Sequence, residues 1–235
     1  RFVIVVRIPK SWASPHMITK GSSRFYSRNS AGKYPLDVFE IRTAFSITGT
    51  AAERMRAFRA DALAKIVAGE TPTPLNEGPK MILQVVPSGA FGPSSRFDVA
   101  SIVRSYKRGK GTLPLPLTGL FSGWRYNFDG LLTYDDRGSY SQTFVSGIIE
   151  AVDSVILGDQ SRDQMEPESE RMIPSSRFEE TLLEALPKYT CIQEHLEVEP
   201  PVFFMLSLLG VEGRFMQVDI PAKSGIKDVQ IDRDA

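Results

Sequence analysis

The chain has 235 residues, 42% of them apolar and 24% charged, and its 28 basic and 28 acidic side chains cancel. That balance belongs to a globular protein and excludes a disordered or fibrous one, while no apolar run approaches the roughly 20 residues that cross a bilayer. The single cysteine, Cys191, excludes an internal disulfide and a cysteine-rich zinc site, and residues 2–6 are too short for the apolar core of a secretory signal, so a cytoplasmic protein is expected.

Residues 2–8 (FVIVVRI) predict a strand ended by Pro9, and a chain opening inside an apolar strand reads as one whose first part lies elsewhere. Residues 11–23 predict a polar loop. Residues 24–28 (RFYSR) alternate charge and ring and predict a short two-faced strand, followed by a turn at 29–32. Asp37 is a candidate N-cap with Glu40 three residues on, and Val38, Ile41 and Phe45 give that helix an apolar stripe. A second helix is expected over 50–68, with Thr50 and Glu53 as its capping box, Met55, Phe58, Ala62 and Ile66 as its apolar face, and Gly69 as its stop. The stretch 71–79 (TPTPLNEGP) is the expected linker between two domains, 1–70 and 76–235.

Lys80–Pro87 predicts a strand, and Ser95 or Asp98 opens a short helix reaching 104–106. Residues 112–118 (TLPLPLT) should be extended. Residues 125–134 and 140–145 predict antiparallel strands around the turn Asp135–Gly138, the second continuing through 144–155. Residues 159–176 predict an acidic surface loop, and 177–196 a helix kinked or split at Pro187. Residues 202–209 predict a buried strand, and the tail from Lys223 a loosely held end. Cys191 is expected to be a buried small apolar residue. The class is α+β, with mainly antiparallel strands and no regular βαβ alternation.

Zero net charge conceals poles. Residues 1–36 carry seven basic side chains (Arg1, Arg7, Lys10, Lys20, Arg24, Arg28, Lys33) and no carboxylate. A second basic cluster runs through Arg96, Arg104, Lys107, Arg108 and Lys110 against Asp98 alone, whereas 150–184 holds ten acidic residues against Arg162, Arg171 and Arg177.

Most motifs of site chemistry fail on spacing. Residues 108–112 (RGKGT) resemble the end of a phosphate-binding P-loop, but Arg104 stands where glycine is required and Gly111 where Ser or Thr is. His16 and His195 are the only imidazoles, far apart and outside any metal motif; His16 in the basic loop suits a phosphate donor or an acid–base group, and His195 a favourable charge at a helix end or a core residue. Asp129, Asp135 and Asp136 are explained by turn and strand-end chemistry. The basic segment is different: Arg24, Arg28 and Lys33 interleave with Phe25, Tyr26 and Tyr34, after Trp12 and His16. Cations neutralise phosphates and exposed rings stack on unpaired bases. On an alternating strand, Arg24, Tyr26 and Arg28 share the outer face while Phe25 anchors the core.

The runs 9–17 (PKSWASPHM), 21–34 (GSSRFYSRNSAGKY) and 37–42 (DVFEIR) resemble the C-terminal part of the Schlafen AlbA-like domain, and 128–134 with 147–152 look like the downstream region of its bacterial members. The resemblance covers about the first 45 residues well and the rest diffusely. It implies a partial AlbA-like α+β domain followed by a helix and a second α+β domain. It also implies nucleic-acid (DNA or RNA) binding through Lys10, His16, Lys20, Arg24, Tyr26, Arg28 and Lys33, with a role in bacterial defence or regulation. ATP enters as a cofactor only through this resemblance, and the acidic residues that cut RNA in nuclease members have no counterpart in 1–36. Two other readings stand beside it: an ATP-dependent enzyme or RNA nuclease completed by residues preceding Arg1, and an assembly module pairing in a homo-oligomer.

Overall fold

The computed structural model describes residues 2–6, 15–92, 95–158, 172–217 and 229–233, and its fold is α+β. Strands β1 (Met17–Ile18), β2 (Arg24–Asn29) and β3 (Gly32–Pro35) form a small antiparallel sheet in that order. The β2–β3 turn closes with Asn29 opposite Gly32, whose φ of +127° suits glycine, and the Asn29 side chain accepts the Ala31 N–H at 2.9 Å.

Helix α1 (Val38–Val67) opens with the expected box: Asp37 accepts from the Glu40 N–H at 2.7 Å, and Glu40 accepts from the Asp37 N–H at 3.0 Å. It does not stop before Thr50. The expected second helix is the continuation of the first, because Ile41, Phe45, Ala52, Met55, Phe58, Ala62 and Ile66 keep one phase at helical spacing. Docking that stripe outweighs a local capping signal.

The main sheet has six strands in the order β10-β4-β8-β7-β6-β5, all antiparallel. Its strands are β4 (Lys80–Pro87), β5 (Gly123–Tyr126), β6 (Gly130–Asp135), β7 (Ser139–Phe144), β8 (Ile149–Asp153) and β10 (Val202–Leu209). Alternation along β4 builds two cores. Met81, Leu83 and Val85 meet α2 (Ala100–Lys107) and α3 (Ser175–His195) through Ile102, Val103, Tyr189 and Ile192; Ile82 and Val86 meet α1 through Ile66, Met55 and Phe58. The sheet is thus covered on both faces, α1 against one and α2 with α3 against the other. Strands β9 (Met172–Pro174), β11 (Phe215–Gln217) and β12 (Val229–Gln230) make a third sheet, β9 parallel to β11, whose Ile173 and Met216 extend the larger core.

Several expectations are corrected. Residues 2–6 are exposed with no strand partner among the described residues, so no ladder makes them the expected strand. The strand expected over 125–134 is two, β5 and β6, because the Asn127 carbonyl oxygen of the side chain accepts from the Asp129 and Gly130 N–H groups and turns the chain. Gly147, at φ +84°, turns it again, so 144–155 is not one strand. Pro187 lies inside an unbroken α3, where burial of Ala185, Tyr189 and Ile192 offsets one lost hydrogen bond. Strand β10 is a half-buried edge strand, and Cys191 is exposed. Within the stretch 71–79, the Asn76 side chain donates to the Arg137 carbonyl at 2.6 Å and the Asn76 backbone N–H donates to Ser154 Oγ at 2.9 Å. The second half of α1 likewise belongs to the core of the larger unit. Of the tail expected to be loose, Val229–Gln230 is paired with β11; of the expected acidic loop, Met172–Pro174 is a strand and 159–171 lie outside the described residues.

Candidate nucleic-acid interface

The β2–β3 hairpin has two chemically different faces. Phe25 turns inward, its ring 5.8 Å from that of Phe45 in a T-shaped contact, and Tyr34 follows it, its hydroxyl donating to Glu40 at 3.2 Å. These two contacts seat the hairpin on the first turns of α1. The opposite face carries Arg24, Tyr26 and Arg28 from β2, with Lys33 directly across from Arg28. Lys33 Nζ lies 5.3 Å from the Tyr26 ring centroid, a cation–π distance.

The charge arrangement is unfavourable without an anion. Arg28 and Lys33 are exposed like charges at opposed positions, a pairing that destabilises a sheet. Among the described residues, neither they nor Arg24 makes an ion pair with a carboxylate. Ile18 pairs with Arg24, and the register carried two residues back sets His16, exposed, level with Tyr26. Lys20 is exposed in the turn from β1 to β2. Of the residues picked from sequence, Arg24, Tyr26, Arg28 and Lys33 therefore come together on one face, His16 and Lys20 flank it, and Lys10, with Trp12, lies outside the described residues.

Three arrangements escape sequence reading. A row of buried polar side chains, Gln84, Glu150 and Gln142, crosses β4, β8 and β7 beneath α1. Gln84 donates to Glu150 at 2.8 Å, Tyr140 donates to its other oxygen at 3.4 Å, and Asn127 donates to Gln142 at 2.7 Å. Burial pushes the Glu150 carboxyl above the usual carboxylate range, against the pull of the Gln84 and Tyr140 donors. The one sequence signal is Gln84 inside an otherwise apolar strand.

On the other sheet face Asp153 is fully buried. Its Oδ1 accepts from the Val155 and Ile156 N–H groups at 2.9 and 2.6 Å, while Oδ2 has no hydrogen-bond partner among the described residues; burial raises this carboxyl too, against the pull of those N–H groups and of Ser139. Finally, Ser101 Oγ and His195 Nε2 are 3.1 Å apart, joining α2 to the end of α3 across 94 residues of sequence. A nucleophile–base pair also needs a group orienting the ring, and among the described residues none holds the other nitrogen of His195. No three acidic, His or Cys side chains gather as a metal set among the described residues; Asp135 ends β6 and accepts from the Arg137 and Ser139 N–H groups at 2.9 and 3.1 Å. No helix among them is long and apolar enough to cross a membrane.

Fold and surface together define an α+β protein with a cationic, ring-bearing hairpin face. Comparison with protein-family models, with curated proteins and with solved structures finds no match.

Proposed function

We propose that this chain binds nucleic acid, in the manner of a Schlafen AlbA-like protein, through the outer face of the β1–β3 sheet. The observation that carries the reading is the opposed pair Arg28 and Lys33, set beside Arg24 and Tyr26 with no carboxylate partner among the described residues. A phosphate between those cations converts their repulsion into two charge-assisted contacts, and Tyr26 supplies a ring edge beside them. The His16 and Lys20 side lengthens the same surface.

Binding of a labelled oligonucleotide should weaken steeply with salt, the logarithm of affinity falling with a slope of about 0.7 to 0.9 per phosphate contacted. Changing Arg24 and Arg28 together to Ala should weaken binding at least tenfold and make that slope shallower by about 1.5, since two phosphate contacts are lost. Affinity that ignores salt, or a double variant that binds like the parent, would rule the reading out.

A further inference from the structure

The second basic cluster seen in the sequence sits against a pair of rings. Strand β5 is the edge of the main sheet, paired with β6 alone. Trp124 and Tyr126 share one of its faces, their ring centroids 5.4 Å apart at an interplanar angle of 70°. Trp124 packs partly into the core beneath α2, and Lys107, the last residue of α2, holds Nζ 5.2 Å from the Trp124 centroid. Tyr126 projects beyond it, 47% exposed. Arg125, on the alternate face, turns away: its guanidinium lies over the Tyr134 ring and donates to the Pro72 carbonyl. The strand thus separates a committed cation from a core-anchored ring and an exposed one.

Lys107, beside Trp124, begins a short run of cations that the chain holds close together. Beyond α2 the chain folds back, with the N–H groups of Arg108 and Lys110 both donating to the Ser105 carbonyl at 3.1 Å. Gly109 supplies the required φ of +67°, and a side chain at Gly111 would lie 2.8 Å from Ser105 Oγ. This turn gathers Lys107, Arg108 and Lys110 at one helix end. Arg104 is bound to Asp98, the single carboxylate of the cluster, but the other three have no carboxylate partner among the described residues. A helix C-terminus favours one or two cations; it does not call for three, nor for an exposed tyrosine on a neighbouring strand.

We infer that the end of α2 and the edge strand β5 form a second nucleic-acid contact, in which an unpaired base stacks on Tyr126 and the flanking phosphates lie on Lys107, Arg108 and Lys110. It rests on the reading of this chain as a nucleic-acid-binding protein but uses residues outside the β1–β3 sheet. Trp124 is the fixed floor, oriented by the core and by Lys107, and Tyr126 is the ring that a base can reach. Single strands are selected because a paired base offers no free face to the ring, whereas every unpaired base does. An acidic peptide would satisfy the cations and leave Tyr126 idle.

The test uses the whole chain and a fluorescein-labelled 20-nucleotide oligothymidylate, followed by anisotropy at several salt concentrations. Tyr126→Ala should weaken binding about fivefold to a hundredfold, the range for loss of one stacking ring, and Tyr126→Phe should restore it. Changing Lys107, Arg108 and Lys110 together to Ala should make the salt slope shallower by about 2. Thermal unfolding followed by circular dichroism checks that each variant is folded, and the phenylalanine variant keeps the stacking claim testable if alanine disturbs the strand. Platform variants that bind like the parent, while the Arg24 and Arg28 variant fails, overturn this inference and leave the hairpin reading intact. The reverse pattern overturns the hairpin reading and supports the platform. Equal competition by polyglutamate, or by duplex of the same length, also overturns it.

Discussion

Replacing Gly130 with alanine is expected to remove a large share of the stability of the main sheet. Gly130 begins β6 at φ +149°, and a Cβ there would lie 2.1 Å from the Thr143 carbonyl oxygen and 3.2 Å from the Phe144 Cα on the neighbouring strand. Both obstacles are backbone, so no rotamer change relieves them. Either the β6–β7 pair separates at that end or the strand twists away, exposing Leu131 and Leu132, which are fully buried on opposite faces. Large steric conflicts in a core cost on the order of 3–5 kcal/mol, against roughly 5–15 kcal/mol for a whole domain. Gly78→Ala is the matched control: its φ of +94° is equally unwelcome to alanine, but nothing lies within 4 Å of the added carbon. That variant should lose only about 1 kcal/mol. Urea unfolding of the two separates the clash from the dihedral, and equal midpoints would refute the packing described for β6 and β7.

Stability is also expected to fall as pH rises from acid toward neutral, the opposite of the usual carboxylate behaviour. Glu150 and Asp153 both have folded-state pKa values raised above the unfolded ones, by burial in each case. In the pH interval between the unfolded and folded values, the folded protein therefore holds protons that the unfolded chain has lost. Their stabilising effect is complete below the unfolded values, near 4, and is lost as pH climbs through the folded ones; each unit of difference is about 1.4 kcal/mol. Glu150→Gln and Asp153→Asn are neutral at every pH and close in shape, so together they should flatten that part of the profile. Asp153→Ala should instead destabilise throughout, because the Val155 and Ile156 N–H groups lose their acceptor. Unfolding midpoints between pH 4.5 and 8 decide it: parallel curves for parent and double variant would show that neither carboxyl holds a proton in the fold.

What the sequence made legible was local. The Asp37–Glu40 box and the limits of β4 rest on residues within a few positions of each other, and the outward row Arg24, Tyr26, Arg28 follows from the period of a strand. What it hid depends on register and long-range approach. Thr50 and Glu53 imitate a helix start, and only the docking of α1 on the sheet shows that the helix runs through them. Gln84, Glu150 and Gln142 fall in line because three strands pair in one register, which none of their own segments encodes. Lys107 reaches Trp124, and Ser101 reaches His195, only once α2 is laid beside β5 and α3. Pattern is read within an element; adjacency is decided between them.

Helix α1 has one further consequence. It holds the hairpin through Phe45 and the main sheet from Met55 onward, and a helix rising 1.5 Å per residue makes the step from Phe45 to Phe58 about 20 Å. The helix therefore works as a ruler between two surfaces. Two added turns in its middle would keep each face pointing as it does while moving the hairpin about 10 Å farther from the sheet. Removing half a turn would instead swing the hairpin around to the other side. For a ligand long enough to touch both surfaces, the interval between its contacts is written in the length and phase of this one helix, not in the chemistry of the residues that touch it.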